Sequence, residues 1–126
     1  MRRILIVDDE QDICECLRDF FSSRGFSVTM AYSGEEALER LSEGDVDVIV
    51  LDIVLPGISG LEVLRRAKQL RPSTKIVMLT GLSHCELRDY AHDCGARGYV
   101  TKPFDFSEQT WASVFSCEAV SRTAFP

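Results

Sequence analysis

The sequence predicts an α/β fold in which a parallel sheet is covered by helices on both faces. Three short apolar runs, at residues 4–7, 46–51 and 76–79, are rich in β-branched residues and do not alternate with polar ones. Such runs are typical of strands that are buried on both faces. Two weaker strand candidates lie at residues 26–31 and 97–101. Helical patterns separate the five runs, and this βα alternation with short connections favours a parallel sheet.

The helices are indicated by apolar spacing and by start and stop signals. In the first helix, apolar residues recur at i, i+3, i+4, i+7 and i+8, from Ile13 to Phe21, and Gly25 supplies a stop. Residues 87–94 repeat this pattern ahead of Gly95. The capping-box spacing predicts further helix starts. It occurs at Ser33 with Glu36, Ser59 with Glu62, Ser83 with Glu86 and, in a related form, Asp105 with Glu108.

The last predicted helix has the weakest pattern. From Phe106 onward the apolar residues do not settle on one stripe, although the cluster of Trp111, Val114 and Phe115 favours core packing. We expect one domain over residues 1–120 and a frayed tail over residues 121–126.

Composition narrows the class of protein. The chain has 126 residues, a formal net charge of -6 and no run of five Lys or Arg residues, which argues against direct nucleic-acid binding and against a cationic membrane-surface helix. Only four apolar residues lie between Arg3 and Asp8, too few for a signal peptide or a membrane span, so we expect a cytoplasmic protein. The five cysteines lack paired motif spacing, and we expect free thiols.

Polar side chains follow four of the predicted strands. Asp8 and Asp9 end the first strand, Asp52 the third, Thr80 the fourth and Lys102 the fifth. The functional crevice of an open α/β sheet lies outside the carboxyl ends of its strands, so these groups are expected to share one edge. Two carboxylates about 4 Å apart repel by roughly 4 kcal/mol at an effective dielectric of 20. A hard cation such as Mg²⁺ would relieve this repulsion and would let one carboxylate attack phosphorus.

Several segments of the chain resemble the response-regulator receiver domain of two-component signalling. The matching segments are 4–10 (ILIVDDE), 52–57 (DIVLPG), 59–62 (SGLE), 79–81 (LTG), 95–99 (GARGY) and 102–104 (KPF). They occur in the family's order, and the resemblance covers residues 3 to about 106. The resemblance implies a flavodoxin-like fold, a doubly wound five-stranded parallel sheet of order 2-1-3-4-5 with five helices.

The resemblance also implies roles for individual residues. It makes Asp52 the phosphoacceptor and implies that Lys102 and Thr80 bond phosphoryl oxygens. It implies a Mg²⁺ site formed by Asp8, Asp9, Asp52 and the backbone carbonyl of Val54. Tyr99 matches the family's switch aromatic, which moves inward with Thr80, and the Lys102–Pro103 bond is expected to be cis.

The function implied by the resemblance is that of a phosphorylated switch. A sensor histidine kinase or a histidine phosphotransfer protein would supply the phosphoryl group, and the domain would catalyse its own phosphorylation and dephosphorylation rather than act as a conventional enzyme. The face formed by the fourth helix, fifth strand and fifth helix would bind an effector or a second copy. The apolar Val54 and Leu82 cannot orient an attacking water, so we expect slow self-dephosphorylation.

Other interpretations of the same residues stay open at this point. Taken singly, Asp8 and Asp9 are ordinary helix-start acids, Thr80 a turn residue and Lys102 a solvated surface lysine. As a set they also suit a Mg²⁺-dependent phosphohydrolase with an aspartyl-phosphate intermediate, although Val54 stands where such enzymes usually have an acid. A binding module that is never phosphorylated is the third alternative.

Overall fold

The computed structural model describes residues 2–116, which form five parallel strands alternating with five helices. The strands are β1 (Arg3–Val7), β2 (Ser27–Ala31), β3 (Val48–Leu51), β4 (Lys75–Thr80) and β5 (Gly98–Thr101). They form one sheet of order β2-β1-β3-β4-β5, in which every neighbouring pair is parallel. The predicted fold class and strand order are thus confirmed. The expected domain end at residue 120 and the expected tail at residues 121–126 lie outside the described residues.

The helices begin close to the predicted signals in three cases. They are α1 (Gln11–Ser22), α2 (Gly34–Glu43), α3 (Gly60–Leu70), α4 (Cys85–Asp93) and α5 (Ala112–Phe115). The Ser33 hydroxyl accepts a hydrogen bond from the Glu36 amide, and the Ser59 hydroxyl accepts one from the Glu62 amide, as the capping-box spacing predicts. The third predicted cap, at Ser83, is wrong by one residue, because the N-cap of α4 is His84 and no side chain caps this helix.

The core lies on both faces of the sheet. Successive residues of a strand point to opposite faces, so each buried strand contributes to both layers. Residues such as Ile49 and Met78 pack with the apolar sides of α2 and α3, while Ile4 and Val50 pack with α1 and the chain around Trp111. Burial on both sides is the physical reason for the uninterrupted apolar runs in the sequence.

The C-terminal part of the described chain departs from the prediction. A helix was expected to start near Asp105, but the structure has an irregular segment there and only one helical turn, Ala112–Phe115. The Asp105 carboxylate accepts hydrogen bonds from the Thr110 hydroxyl at 2.6 Å and the Ser107 amide at 3.0 Å, which closes a local turn. Trp111 is completely buried, and its Nε1 donates to the Asp105 carbonyl at 2.8 Å. The buried indole therefore fixes this segment, and the expected core role of Trp111 is confirmed.

No helix among the described residues is long and apolar enough to span a bilayer. The four described cysteines, Cys14, Cys16, Cys85 and Cys94, are free thiols as expected, and Cys117 lies outside the described residues.

Candidate functional site

Backbone hydrogen bonds between neighbouring strands extend one residue beyond the sheet and hold the polar residues at the strand ends side by side. The Asp52 amide donates to the Val7 carbonyl at 2.9 Å, and the Lys102 amide donates to the Thr80 carbonyl at 2.8 Å. The Asp8 amide likewise bonds a carbonyl of β2. The expected convergence of Asp8, Asp52, Thr80 and Lys102 on the carboxyl edge of the sheet is therefore what the structure shows.

The Lys102 ammonium lies at the centre of the site. Its Nζ is 2.8 Å from Asp8 Oδ2, 2.9 Å from Glu10 Oε1 and 3.0 Å from Asp52 Oδ2. The Asp8 side chain is completely buried and that of Asp52 is 5% exposed, whereas that of Glu10 is 59% exposed. Three carboxylates thus share a single cation, so the pocket carries an excess of negative charge.

Burial and charge act on the protonation of this pocket in opposite directions. Burial raises the pKa of Asp8, although the Lys102 ammonium partly opposes this. Burial also acts to lower the pKa of Lys102, but its contacts with Asp8, Glu10 and Asp52 outweigh burial and raise the pKa overall. Lys102 therefore stays protonated and charged, and of the two groups it is Asp8 whose charged form is disfavoured.

Each buried carboxylate has one oxygen held by the backbone and one directed at Lys102. Asp8 Oδ1 accepts from the Glu10 amide at 2.8 Å, and Asp52 Oδ1 accepts from the Val54 amide at 3.1 Å. Asp8 Oδ2 is buried, and its contact among the described residues is the 2.8 Å ion pair with the Lys102 ammonium. This oxygen keeps unused capacity as an acceptor or as a metal ligand.

The carboxylates fit a hard divalent cation. One oxygen from each of Asp8, Glu10 and Asp52 lies within 4.8 Å of the others. Hard oxygen ligands of this kind are the ones that Mg²⁺ prefers, so Asp8, Glu10 and Asp52 could hold such an ion. The expected ligand Asp9 is exposed and is not part of this group. Its role as a ligand stays a prediction.

Glu10 was not identified from the sequence as a site residue. It lies at the N-cap of α1 with its backbone extended, and its side chain reaches back over the pocket to Lys102. The only available signal was its place as the third acid of the run Asp8-Asp9-Glu10. Acids at this position commonly interact with the helix N-terminus, so the run alone does not reveal the contact with Lys102.

Thr80 and Tyr99 are connected through the loop that follows β4. The amide of Leu82 donates to the buried Thr80 hydroxyl at 3.3 Å, and the carbonyl of Leu82 accepts a hydrogen bond from the Tyr99 hydroxyl. Tyr99 is 2% exposed, and burial raises the pKa of its phenol. The Tyr99 ring therefore points into the core, and Leu82 connects its hydroxyl to the Thr80 hydroxyl at the edge of the pocket.

The backbone around Asp52 depends on a close approach by α3. A Cβ on Gly60 would lie 1.9 Å from the Asp52 carbonyl oxygen, so only glycine fits the first position of this helix. The Gly60 amide donates to the Ile53 carbonyl at 2.7 Å.

The Lys102–Pro103 peptide bond is cis, as expected. Val54 is 60% exposed at the rim of the pocket.

A family model and curated relatives indicate the family to which this chain belongs. A family model described as the response regulator receiver domain matches residues 4–112. The chain is 41% identical over 105 residues to the uncharacterized transcriptional regulatory protein YkoG of Bacillus subtilis, a match that covers 83% of this chain and 46% of YkoG. The chain spans about half the length of the curated relatives it matches.

Solved structures share the fold. The response regulator TrrA from Thermotoga maritima, solved in complex with Mg²⁺ and a beryllium fluoride, is 40% identical, with a TM-score of 0.79 over 89% of this chain and 96% of TrrA. A CheY-like receiver domain protein from Methanospirillum hungatei is 32% identical, with a TM-score of 0.81 over 84% of this chain and 85% of that protein.

Proposed function

This chain belongs to the receiver domains of two-component response regulators, which are phosphorylatable, and we propose that its phosphoryl group is carried by Asp52. The observation that carries the proposal is the position of Asp52 Oδ2, which is nearly buried and 3.0 Å from the Lys102 ammonium at the carboxyl edge of the sheet. Asp8 and Asp52 are the two buried carboxylates among the described residues, and both contact Lys102. Of the two, Asp52 is the one that matches the phosphoacceptor of the family.

Asp52 is suited to act as the nucleophile. Its Oδ1 is held by the Val54 amide, which leaves Oδ2 to attack phosphorus. As the oxygen–phosphorus bond forms, the bond from phosphorus to the donor's imidazole nitrogen breaks, and the electron pair stays on that nitrogen. The donor is a phosphohistidine of a sensor kinase or of a phosphotransfer protein. Lys102, released from part of its contact with Asp52, pairs with a phosphoryl oxygen, and the Thr80 hydroxyl bonds another.

A divalent cation belongs to this proposal. Asp8, Asp9, Asp52 and the backbone carbonyl of Val54 would hold Mg²⁺, and Glu10 is placed to join them. When bound, Mg²⁺ supplies positive charge against the carboxylates and the transferring phosphoryl oxygens. The buried Oδ2 of Asp8, which shares the Lys102 ammonium with two other carboxylates, supports this role. Asp8 is then both a ligand and a source of the negative potential that attracts the cation.

The switch runs through the Leu82 backbone. When the Thr80 hydroxyl turns to the phosphoryl group, it gives up the hydrogen bond from the Leu82 amide. The loop that carries Leu82 is then free to change its contact with the Tyr99 hydroxyl on β5. A shift of this kind alters the face formed by α4, β5 and α5, to which an effector or a second copy would bind, and it selects between existing conformations. We place this relay in the cytoplasm, without direct nucleic-acid or membrane contact by this domain.

Two other functions fit the site less well. A phosphohydrolase with an aspartyl-phosphate intermediate usually has an acid two residues after the nucleophile, and here that residue is the apolar, exposed Val54. A module that is never phosphorylated has no use for a buried pair of carboxylates with excess negative charge, because this arrangement is unfavourable for folding.

Phosphorylation can be tested by intact-mass spectrometry after incubation with acetyl phosphate and Mg²⁺. We expect one added phosphoryl group on the wild type, none on Asp52→Asn and none when the cation is chelated. Asp89→Asn, an exposed change on α4, is the matched control and should be labelled like the wild type. Equal labelling of Asp52→Asn and the wild type would contradict the proposal, and steady release of phosphate from phosphate esters would favour the phosphohydrolase.

A further inference from the structure

The loop between β3 and α3, residues 52–59, is attached to the start of α2 by Glu35. The amide of Ile58 donates a hydrogen bond to Glu35 Oε2 at 3.2 Å. This contact is not part of the helix cap, because the Ser33 hydroxyl accepts from the Glu36 amide and the Glu36 carboxylate accepts from the Tyr32 amide at 2.7 Å. The Glu35 carboxylate is thus available to the loop, and neither folding of α2 nor the proposed chemistry accounts for it.

The loop and the helix approach each other closely on both sides of this contact. Gly57 has φ +75°, and a Cβ there would lie 2.5 and 2.7 Å from the two carboxylate oxygens of Glu35. A Cβ on Gly34, at the start of α2, would lie 2.6 Å from Cγ1 of Ile58. Glycine at both positions therefore allows the loop and the start of α2 to lie this close together.

The same loop carries the groups that hold the proposed phosphoacceptor. It begins at Asp52, whose Oδ1 accepts from the Val54 amide, and the backbone at Ile53 is bonded to Gly60. These bonds fix the base of the loop, and the contact of Ile58 with Glu35 fixes its far side. Ile58 and the Val54 amide are four residues apart in this loop.

We propose that Glu35 is a positioning residue for the phosphorylation site, acting by latching loop 52–59 onto α2 so that the Val54 backbone stays in place beside Asp52. Glu35 touches neither the phosphoryl group nor the cation in this account. The inference rests on the proposed function for its consequence, but the latch itself is a property of the unphosphorylated protein and can be measured there.

The test compares Glu35→Ala with Glu39→Ala, which removes the same charge one turn further along the exposed side of α2. Amide exchange measured by NMR without any phosphodonor should be about two- to tenfold faster at Ile58 and Val54 in Glu35→Ala, the range expected for one lost hydrogen bond. Glu39→Ala should leave both amides unchanged, and Glu35→Gln, which keeps an acceptor oxygen, should restore most of the protection.

Cation affinity and labelling give the functional readout. By calorimetry, Glu35→Ala should bind Mg²⁺ more weakly than Glu35→Gln, because both variants lack the negative charge at position 35 and only glutamine keeps an acceptor oxygen. Labelling by acetyl phosphate should slow in the same order. Faster exchange at Ile58 without any change at Val54 would overturn the positioning role, as would equal behaviour of the two variants. A wild type that is not labelled on Asp52 would refute the proposed function. The exchange data would still show whether Glu35 holds loop 52–59 against α2.

A second variant pair tests the close approach directly. Gly57→Ala places a methyl group against the Glu35 carboxylate, in addition to the strain of a positive φ. Adding Glu35→Ala to Gly57→Ala removes the carboxylate that this methyl group would meet. The Val54 amide of the double variant should therefore exchange at least about twofold more slowly than expected from combining the effects of the two single variants. Strict additivity would show that Gly57 and Glu35 are not in contact.

Discussion

Replacing Lys102 with methionine removes the ammonium group while keeping most of the aliphatic side chain, so the change isolates the charge at the centre of the pocket. In the wild type this one cation lies 2.8 Å from Asp8 and 3.0 Å from Asp52. Both carboxylates are nearly or completely buried, so water cannot take over the role of the ammonium. The variant should therefore be clearly less stable at neutral pH.

The size of the loss follows from the charges left behind. Oxygens of Asp8 and Asp52 lie within 4.8 Å of each other, a separation at which two negative charges repel by about 3.5 kcal/mol at an effective dielectric of 20. Removing one partner of a buried ion pair typically costs about 3–5 kcal/mol. Uptake of a proton by Asp8, whose pKa is already raised by burial, limits the cost. We expect a loss of about 2–4 kcal/mol at pH 7 and a smaller loss near pH 5.

The assay is urea unfolding followed by the fluorescence of Trp111, the single tryptophan of the chain, which is completely buried. In chelator the variant should show the full loss, and saturating Mg²⁺ should recover most of it, because the dication replaces the missing charge. Arg18→Met, which breaks an exposed ion pair with Asp19, is the control and should cost at most about 0.5 kcal/mol. A loss below about 1 kcal/mol for Lys102→Met that does not respond to Mg²⁺ would refute the electrostatic reasoning.

Three further changes test other parts of the account. Val54→Asn adds an amide that can orient water beside the acyl phosphate, and we expect hydrolysis of the phosphoprotein to be about tenfold faster, whereas an unchanged lifetime would remove the idea. Gly60→Ala should cost about 1–3 kcal/mol and slow labelling because its Cβ collides with the backbone of the proposed phosphoacceptor, while Gly44→Ala, which adds a Cβ in open space, should be nearly neutral. Hydrogen bonds from Thr110 and Ser107 lower the pKa of Asp105 from 3.8 to about 2, so this carboxylate stabilises the fold above about pH 4 and loses that effect as the pH falls towards 2. Asp105→Ala should accordingly be less stable than the wild type at pH 7, with the difference narrowing below pH 4 in acid-unfolding curves.

The sequence predicts the central part of the fold because one physical cause dominates there. Residues 4–7 and 76–79 are buried on both faces of the sheet, so every position must be apolar and the strands are visible as runs. Near the C-terminus several causes compete. Capping-box spacing predicted a helix from Asp105, but the burial of Trp111 and the turn closed by Asp105 prevail over that local signal.

In the site, too, the residues placed by sheet topology could be predicted from the sequence, and the residue placed by local conformation could not. Asp8, Asp52, Thr80 and Lys102 could be placed together because the carboxyl ends of parallel strands share an edge. Glu10 could not, since its contact with Lys102 depends on how the chain turns into α1.

The most direct test is to find the residue that carries the phosphoryl group. The protein is phosphorylated with acetyl phosphate and Mg²⁺, the acyl phosphate is reduced with borohydride, and the modified position is read by peptide sequencing in a mass spectrometer. Our account requires homoserine in place of aspartate at position 52 and nowhere else. Reduction at another carboxylate, or no reduced residue in a protein that has gained a phosphoryl group, would contradict it.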